Sequence, residues 1–98
     1  MILGIYGASG LGTEYHQTAE ANNVNNERWD EIVFIDDTPE KIGKELVGCR
    51  IISYDMLSQY EKKDVELVIA IGEPISKDKI FERVCYGYRR KSIGNYYE

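Results

Sequence analysis

The chain is poor in residues that do chemistry on their own. It has one histidine, His16, and two cysteines, Cys49 and Cys85, among 98 residues. The cysteines form no C-x-x-C pair and no metal-ligand spacing, which excludes a zinc-finger or thioredoxin-like reading. They are expected as two buried, reduced thiols of a cytoplasmic chain. Positive charge is also scarce: 12 Lys and Arg stand against 17 Asp and Glu, for a net charge of −5. That argues against non-specific nucleic-acid binding and against docking on anionic membranes, both of which need basic patches. "CYGYRRK" is too short a basic run to change this. No apolar stretch approaches the roughly 20 residues of a membrane-spanning helix. The N-terminus lacks the basic and apolar regions of an export signal. The expectation is no nucleic-acid partner, no membrane insertion and a cytoplasmic location.

Catalytic constellations are missing too. A tyrosine followed four residues later by lysine, as short-chain dehydrogenases require, does not occur: Tyr60 is followed by Asp64 and Tyr86 by Arg90. His16 falls inside the first expected helix with no partner in view. It is expected as a partly exposed helix residue rather than a base.

What is present is an ordinary globular composition, 43% hydrophobic and 30% charged, in a length that suits one small domain. "ILGIY" (Ile2–Tyr6) reads as a buried parallel strand. Leu11, Tyr15, Thr18 and Ala19 then recur at helical spacing, closed by Asn22 and Asn23. "NNVNNERWD" reads as a polar surface loop. "EIVFIDD" (Glu31–Asp37) is a second strand, β-branched and aromatic until two aspartates stop it. Thr38, Pro39 and Gly43 have the cap, first-position and C′ chemistry of at most one helical turn. "LVGCRIIS" reads as a short extended piece. Ser53 caps a helix candidate that packs through Tyr54, Met56, Leu57 and Tyr60 and ends at Lys62 and Lys63. "VELVIAIG" (Val65–Gly72) is the clearest strand, and a helix after Ser76 is expected to end near Gly87. Such alternation predicts a small Rossmann-like three-layer α/β domain with a parallel sheet, over residues 1–87. Residues 88–98 form an unassigned tail.

The chemistry concentrates in "YGASGLG". Gly7, Gly10 and Gly12 follow the first strand and open the first helix. In a doubly wound sheet that turn faces the ligand crevice, and the helix N-terminus favours a phosphate there. Glycines let the backbone turn tightly and let a phosphate come close. Ser9 adds a hydroxyl. The spacing is G-x-x-G-x-G rather than the usual dinucleotide fingerprint, so a tight turn that binds nothing stays open as an alternative. Asp36, about 20 residues further on, suits a ribose hydroxyl or simple turn chemistry, whereas Asp37 suits the turn better. Gly72 ends the third strand as Gly7 ends the first. If the first strand lies between the other two, Gly7–Gly12, Asp36 and Gly72 line one crevice, with Glu73 close by.

Together, "YGASGLG", "RWDEIVFIDD", "IISYDML" and "VELVIAIGEP" resemble the N-terminal domain of the sugar O-acyltransferases, of the sialic-acid and bacillosamine acetyltransferase type. The resemblance covers about the first 85 residues. It implies a Rossmann-like domain that holds a nucleotide sugar, such as a UDP- or CMP-sugar, or the equivalent acceptor sugar. It also implies a separate left-handed β-helix that binds acetyl-CoA, forms the trimer and supplies the catalytic histidine. Carried over, Gly7, Ala8, Ser9, Gly10, Leu11 and Gly12 match the phosphate loop. Asp36 and Asp37 match the acidic pair near the nucleoside, and Ala70, Ile71 and Gly72 the third-strand edge. Leu11 stands where many members carry histidine. The sequence contains no hexapeptide repeat, so the expectation is a domain truncated before the β-helix. It has no cofactor and no catalytic residue of its own, and an intact family member is a candidate partner. The alternatives are an NAD(P)-type dinucleotide domain and an interaction remnant that binds no small ligand.

Overall fold

A computed structural model describes residues 1–26, 28–72 and 79–80. Five strands form one sheet: β1 (Ile2–Tyr6), β2 (Glu31–Ile35), β3 (Glu45–Leu46), β4 (Cys49–Ile52) and β5 (Val65–Ile69). Their spatial order is β3-β4-β2-β1-β5, which puts β1 between β2 and β5. Both neighbours run parallel to β1, with Gly4 opposite Val33 on one side and Leu67 on the other. β4 is parallel to β2, so the expected parallel α/β sheet is present. Only the edge strand β3 departs, pairing antiparallel with β4.

Strand alternation sends the apolar residues to two faces. Tyr6, Val33, Ile35, Ile52, Val65, Leu67 and Ile69 line one face, under the short helix α2 (Tyr54–Leu57) and Ile80. Leu3, Ile5, Phe34, Ile51 and Val68 line the other, beneath the long helix α1 (Gly10–Asn26). Burying a side chain such as the fully enclosed Phe34 stabilises the fold by about 1.5–3 kcal/mol. Gly4 leaves space on the first face, where a Cβ would meet Ile35 Cδ1 at 2.6 Å and Leu67 Cδ1 at 2.8 Å.

Several local expectations need correcting. α1 does not close at Asn22–Asn23 but continues to Asn26. The Asn23 side-chain amide then clamps the backbone of Trp29, accepting from its N–H at 2.7 Å and donating to its carbonyl at 3.0 Å. That clamp seats Trp29 in the core, in a segment whose polarity suggested only surface. The buried face of α1 is the expected one only in part. Ala19 is buried and Tyr15 packs beside it as expected, but Gly12 and His16 are the other buried positions, while Leu11 and Thr18 are exposed. "LVGCRIIS" is not a single extended piece but part of a hairpin. It turns through Val47 (φ 46°) and Gly48 (φ 81°), two left-handed residues as a type I′ turn requires. α2 is capped by Ser53 as expected, the Met56 N–H donating to Ser53 Oγ at 3.1 Å. It stops after one turn, however, with Met56 exposed and Lys62 and Lys63 in a separate 3₁₀ turn. The helix after Ser76, its expected end at Gly87, Cys85, Glu73 and the tail 88–98 lie outside the described residues.

Candidate functional site

The carboxyl ends of β2, β1 and β5 meet at the glycine turn. The Gly7 N–H donates to the Ile35 carbonyl at 2.8 Å, and the Ala70 N–H donates to the Tyr6 carbonyl at 2.9 Å. Gly7–Gly12, Asp36 and the Ala70–Gly72 segment therefore share one edge of the sheet, as the central position of β1 dictates. Ala8 and Ala70 are buried there, Ile71 is half-buried, and Ser9, Gly10, Leu11 and Gly72 are exposed.

The three glycines of the turn do different things. Gly7 has φ +124°, and a Cβ there would lie 2.5 Å from the Ala70 carbonyl oxygen. Gly12 lets α1 pass directly against the Gly7 carbonyl, leaving no room for a side chain. Both are required by the fold whether or not anything binds. Gly10 is different: a Cβ there meets nothing within 4 Å, and its φ is ordinary. Among the described residues, nothing gives a reason for glycine at that position.

The first intrahelical bond of α1 runs from the Thr13 N–H to the Ser9 carbonyl at 2.9 Å. The N–H groups of Gly10, Leu11 and Gly12 come before it and have no acceptor within the helix. Together with the helix dipole they present roughly half a positive charge at the open side of the turn. The Leu11 side chain, 44% exposed, stands beside them and can offer only apolar contact.

Asp36 braces this turn from β2. One of its carboxylate oxygens accepts from the Ala8 N–H at 3.2 Å, and the other from the Thr38 N–H at 2.9 Å. Partial burial raises the Asp36 pKa. The Thr38 and Ala8 hydrogen bonds and the nearby Lys41 charge outweigh that and hold it below the ordinary carboxylate value. Asp37 faces the other way. It accepts from the Tyr6 hydroxyl at 2.9 Å and from the Tyr54 N–H at 3.0 Å, tying the end of β1 to the start of α2. The two adjacent acids thus hold different elements.

Lys41 was not visible as a site residue in the sequence. It sits in the Thr38–Gly43 turn, where its N–H donates to the Thr38 carbonyl at 2.9 Å. Its ammonium donates to the Ala8 carbonyl at 3.0 Å and lies 3.6 Å from the Asp36 carboxylate. The available signal was a lysine five residues after a strand-ending aspartate, in a turn begun by Thr-Pro.

His16 does not join the turn, and it is not partly exposed as expected. It is 5% exposed, one helical turn beyond Gly12, with its ring tilted 5.8 Å from Phe34. Its Nε2 faces Cys49 Sγ, and Cys49 is a half-buried free thiol rather than a fully buried one. Among the described residues, no three His, Cys, Asp or Glu groups are placed to hold a metal ion. Among them, too, no helix is long and apolar enough to cross a membrane. A groove of about 400 Å³ lined by Arg50, Ile52, Met56, Gln59 and Tyr60 shares no residue with the glycine turn.

No curated protein and no solved structure matches the chain significantly. A family model does, described as the PglD N-terminal domain, and the match runs over residues 2–84, from the first residue of β1 past the end of β5. The sheet order, the glycine turn and that match make one statement: the chain belongs to the PglD N-terminal domain family, an acetyltransferase-related α/β domain.

Proposed function

We propose that this domain binds a nucleotide sugar, of the UDP- or CMP-sugar kind, at the turn between β1 and α1. In this reading it is the acceptor-holding part of a sugar acetyl-transfer system in cytoplasmic glycan biosynthesis. Acetyl-CoA and the catalytic base belong to another domain, for which an intact family member is the natural partner. The observation that carries the reading is Gly10. It is exposed, conformationally ordinary and unopposed by any atom of the described residues, at the head of three N–H groups that lack helical acceptors. A side chain there is unwelcome only if something else comes close. Gly7 and Gly12 carry no weight in this argument, because the fold needs them regardless.

The net charge of −5 opposes long-range attraction of an anion, so the expected affinity is weak, about 10 μM to 1 mM. The test is calorimetric titration of the parent and of Gly10→Val with a UDP-sugar, a CMP-sugar and NAD, after circular dichroism has verified folding. Binding of a sugar nucleotide by the parent, lost in folded Gly10→Val, supports the reading. Equal binding by both variants, or a preference for NAD, contradicts it.

A further inference from the structure

We infer that the groove between β4 and α2 is a binding site of its own, for a small neutral molecule that presents a carbonyl oxygen beside an apolar body. It is lined by Arg50, Ile52, Met56, Gln59 and Tyr60 and shares no residue with the glycine turn, so the inference does not depend on the proposed function. Its volume of about 400 Å³ lies within the ~300–1,000 Å³ usual for small-molecule pockets.

Arg50 gives the groove its polar chemistry. A guanidinium carries five N–H donors in a fixed plane. Three are used on protein acceptors. Nε donates to Glu31 Oε2 at 2.9 Å, and Nη2 donates to Glu31 Oε1 at 3.1 Å and to the Tyr60 hydroxyl at 3.2 Å. Both N–H groups of Nη1 are left, with no acceptor among the described residues. The Tyr60 hydroxyl accepts from Arg50 and still has its own proton to donate. The remaining donors therefore belong to two side chains that are bonded to each other and both line the groove. Two contacts to Glu31 and one to Tyr60 fix the guanidinium plane, so little side-chain freedom is lost when a ligand accepts from it.

Glu31 sets the charge class. Its carboxylate lies 2.9 Å from Arg50, so the two formal charges cancel at the groove wall. A ligand carboxylate would meet Arg50 with Glu31 already in place, in a chain of net charge −5. A neutral carbonyl accepts from the same N–H groups without that repulsion. The apolar half of the groove is Ile52 and Met56. Ile52 lines it while only 2% exposed, so it lies at its base. Met56 is 41% exposed on a helix where Tyr54 and Leu57 are buried, and its unbranched thioether adapts to a flat or irregular apolar surface. The exposed Gln59 amide adds one acceptor and two donors at the rim.

The experiment follows N–H chemical shifts of the ¹⁵N-labelled chain, side-chain groups included, during titration with two probes. Benzamide is a neutral carbonyl on an apolar ring, and benzoate is its anionic counterpart. Benzamide should give saturable shifts at Arg50, Gln59 and Tyr60, with a Kd of about 1–10 mM for so small a probe. Benzoate should bind more weakly. Tyr60→Phe keeps the ring and removes the hydroxyl, and Arg50→Lys keeps a cation for Glu31 and removes Nη1. Each should weaken benzamide binding about 5-fold, the effect of one neutral hydrogen bond, in variants that circular dichroism shows to be folded. Folded variants that bind benzamide like the parent overturn the donor assignment. Benzoate binding as tight as benzamide binding overturns the neutral class. Should a variant not fold, the other variant and the benzamide–benzoate comparison in the parent still decide. No saturable shifts in the groove at millimolar benzamide, or shifts only around the glycine turn, overturn the site itself.

Discussion

His16 Nε2 and Cys49 Sγ lie 3.2 Å apart, joining α1 to β4 across the Phe34 face of the sheet. The pair looks like a nucleophile and its base, but the electrostatics point the other way. Burial pushes the Cys49 thiol up, and Glu20, Glu31 and Glu45 push it further, so the thiol stays protonated. We predict that Cys49, measured in a Cys85→Ser background, reacts with iodoacetamide at pH 7.5 at least about 5-fold more slowly than a free thiol. Reaction at the free-thiol rate contradicts this. Because the folded value is raised, the associated stability is present below the ordinary value of 9.0 and is lost as pH rises through the folded value.

Asp36 has the opposite sign. Its pKa is lowered in the folded state, so its stabilisation is present above the ordinary value of 3.8 and is lost as pH falls through the folded value. Asp36→Asn should cost about 1–3 kcal/mol near neutral pH by leaving the loop donors poorly matched. Denaturant melts of both proteins should converge as the pH is taken below the ordinary carboxylate range. A gap that stays constant between neutral and acid pH contradicts the assigned role.

Two neighbouring glycines should respond differently to alanine. Gly12→Ala drives a methyl into the Gly7 carbonyl and should destabilise by about 1–3 kcal/mol. Gly10→Ala meets nothing and should be neutral, or stabilising by about 0.4–1 kcal/mol through a less flexible unfolded chain. Chemical denaturation separates them, and similar losses at both positions contradict the account.

Val47 holds φ 46° while 55% exposed, a strained conformation for a β-branched residue with little contact to offset it. Val47→Asn suits the type I′ turn and should raise stability by about 1 kcal/mol. An unchanged or lowered midpoint contradicts the assigned turn type.

Three of the four parallel strands could be read from the sequence because Ile2–Tyr6, the apolar part of Glu31–Asp37 and Leu67–Ile71 are continuous apolar runs, which only a sheet covered on both faces accepts. The Ser53 cap could be read because capping is local chemistry. The β3–β4 hairpin could not, since its turn carries Val47 where Asn or Gly is the usual signal. The buried face of α1 was legible only at Tyr15 and Ala19, for a related reason. Its other buried positions are Gly12 and His16, so the helix docks largely through small size and one histidine rather than an apolar stripe. The glycine turn was legible as a feature, but its division of labour was not. Only the packing shows that Gly7 and Gly12 serve the fold while Gly10 does not. Lys41 reaches the site through a tertiary contact with Ala8, for which the sequence holds no periodic mark.

Under the proposed function, the open end of α1 receives the phosphate of a nucleotide sugar. Amide chemical-shift mapping on the ¹⁵N-labelled protein during titration with a UDP-sugar tests this. The largest, saturable shifts are expected on the N–H groups of Gly10, Leu11 and Gly12, with smaller ones at Ala8 and Thr38. Shifts confined to the Arg50–Tyr60 groove, or no saturable shifts at the α1 N-terminus at millimolar ligand, would contradict it.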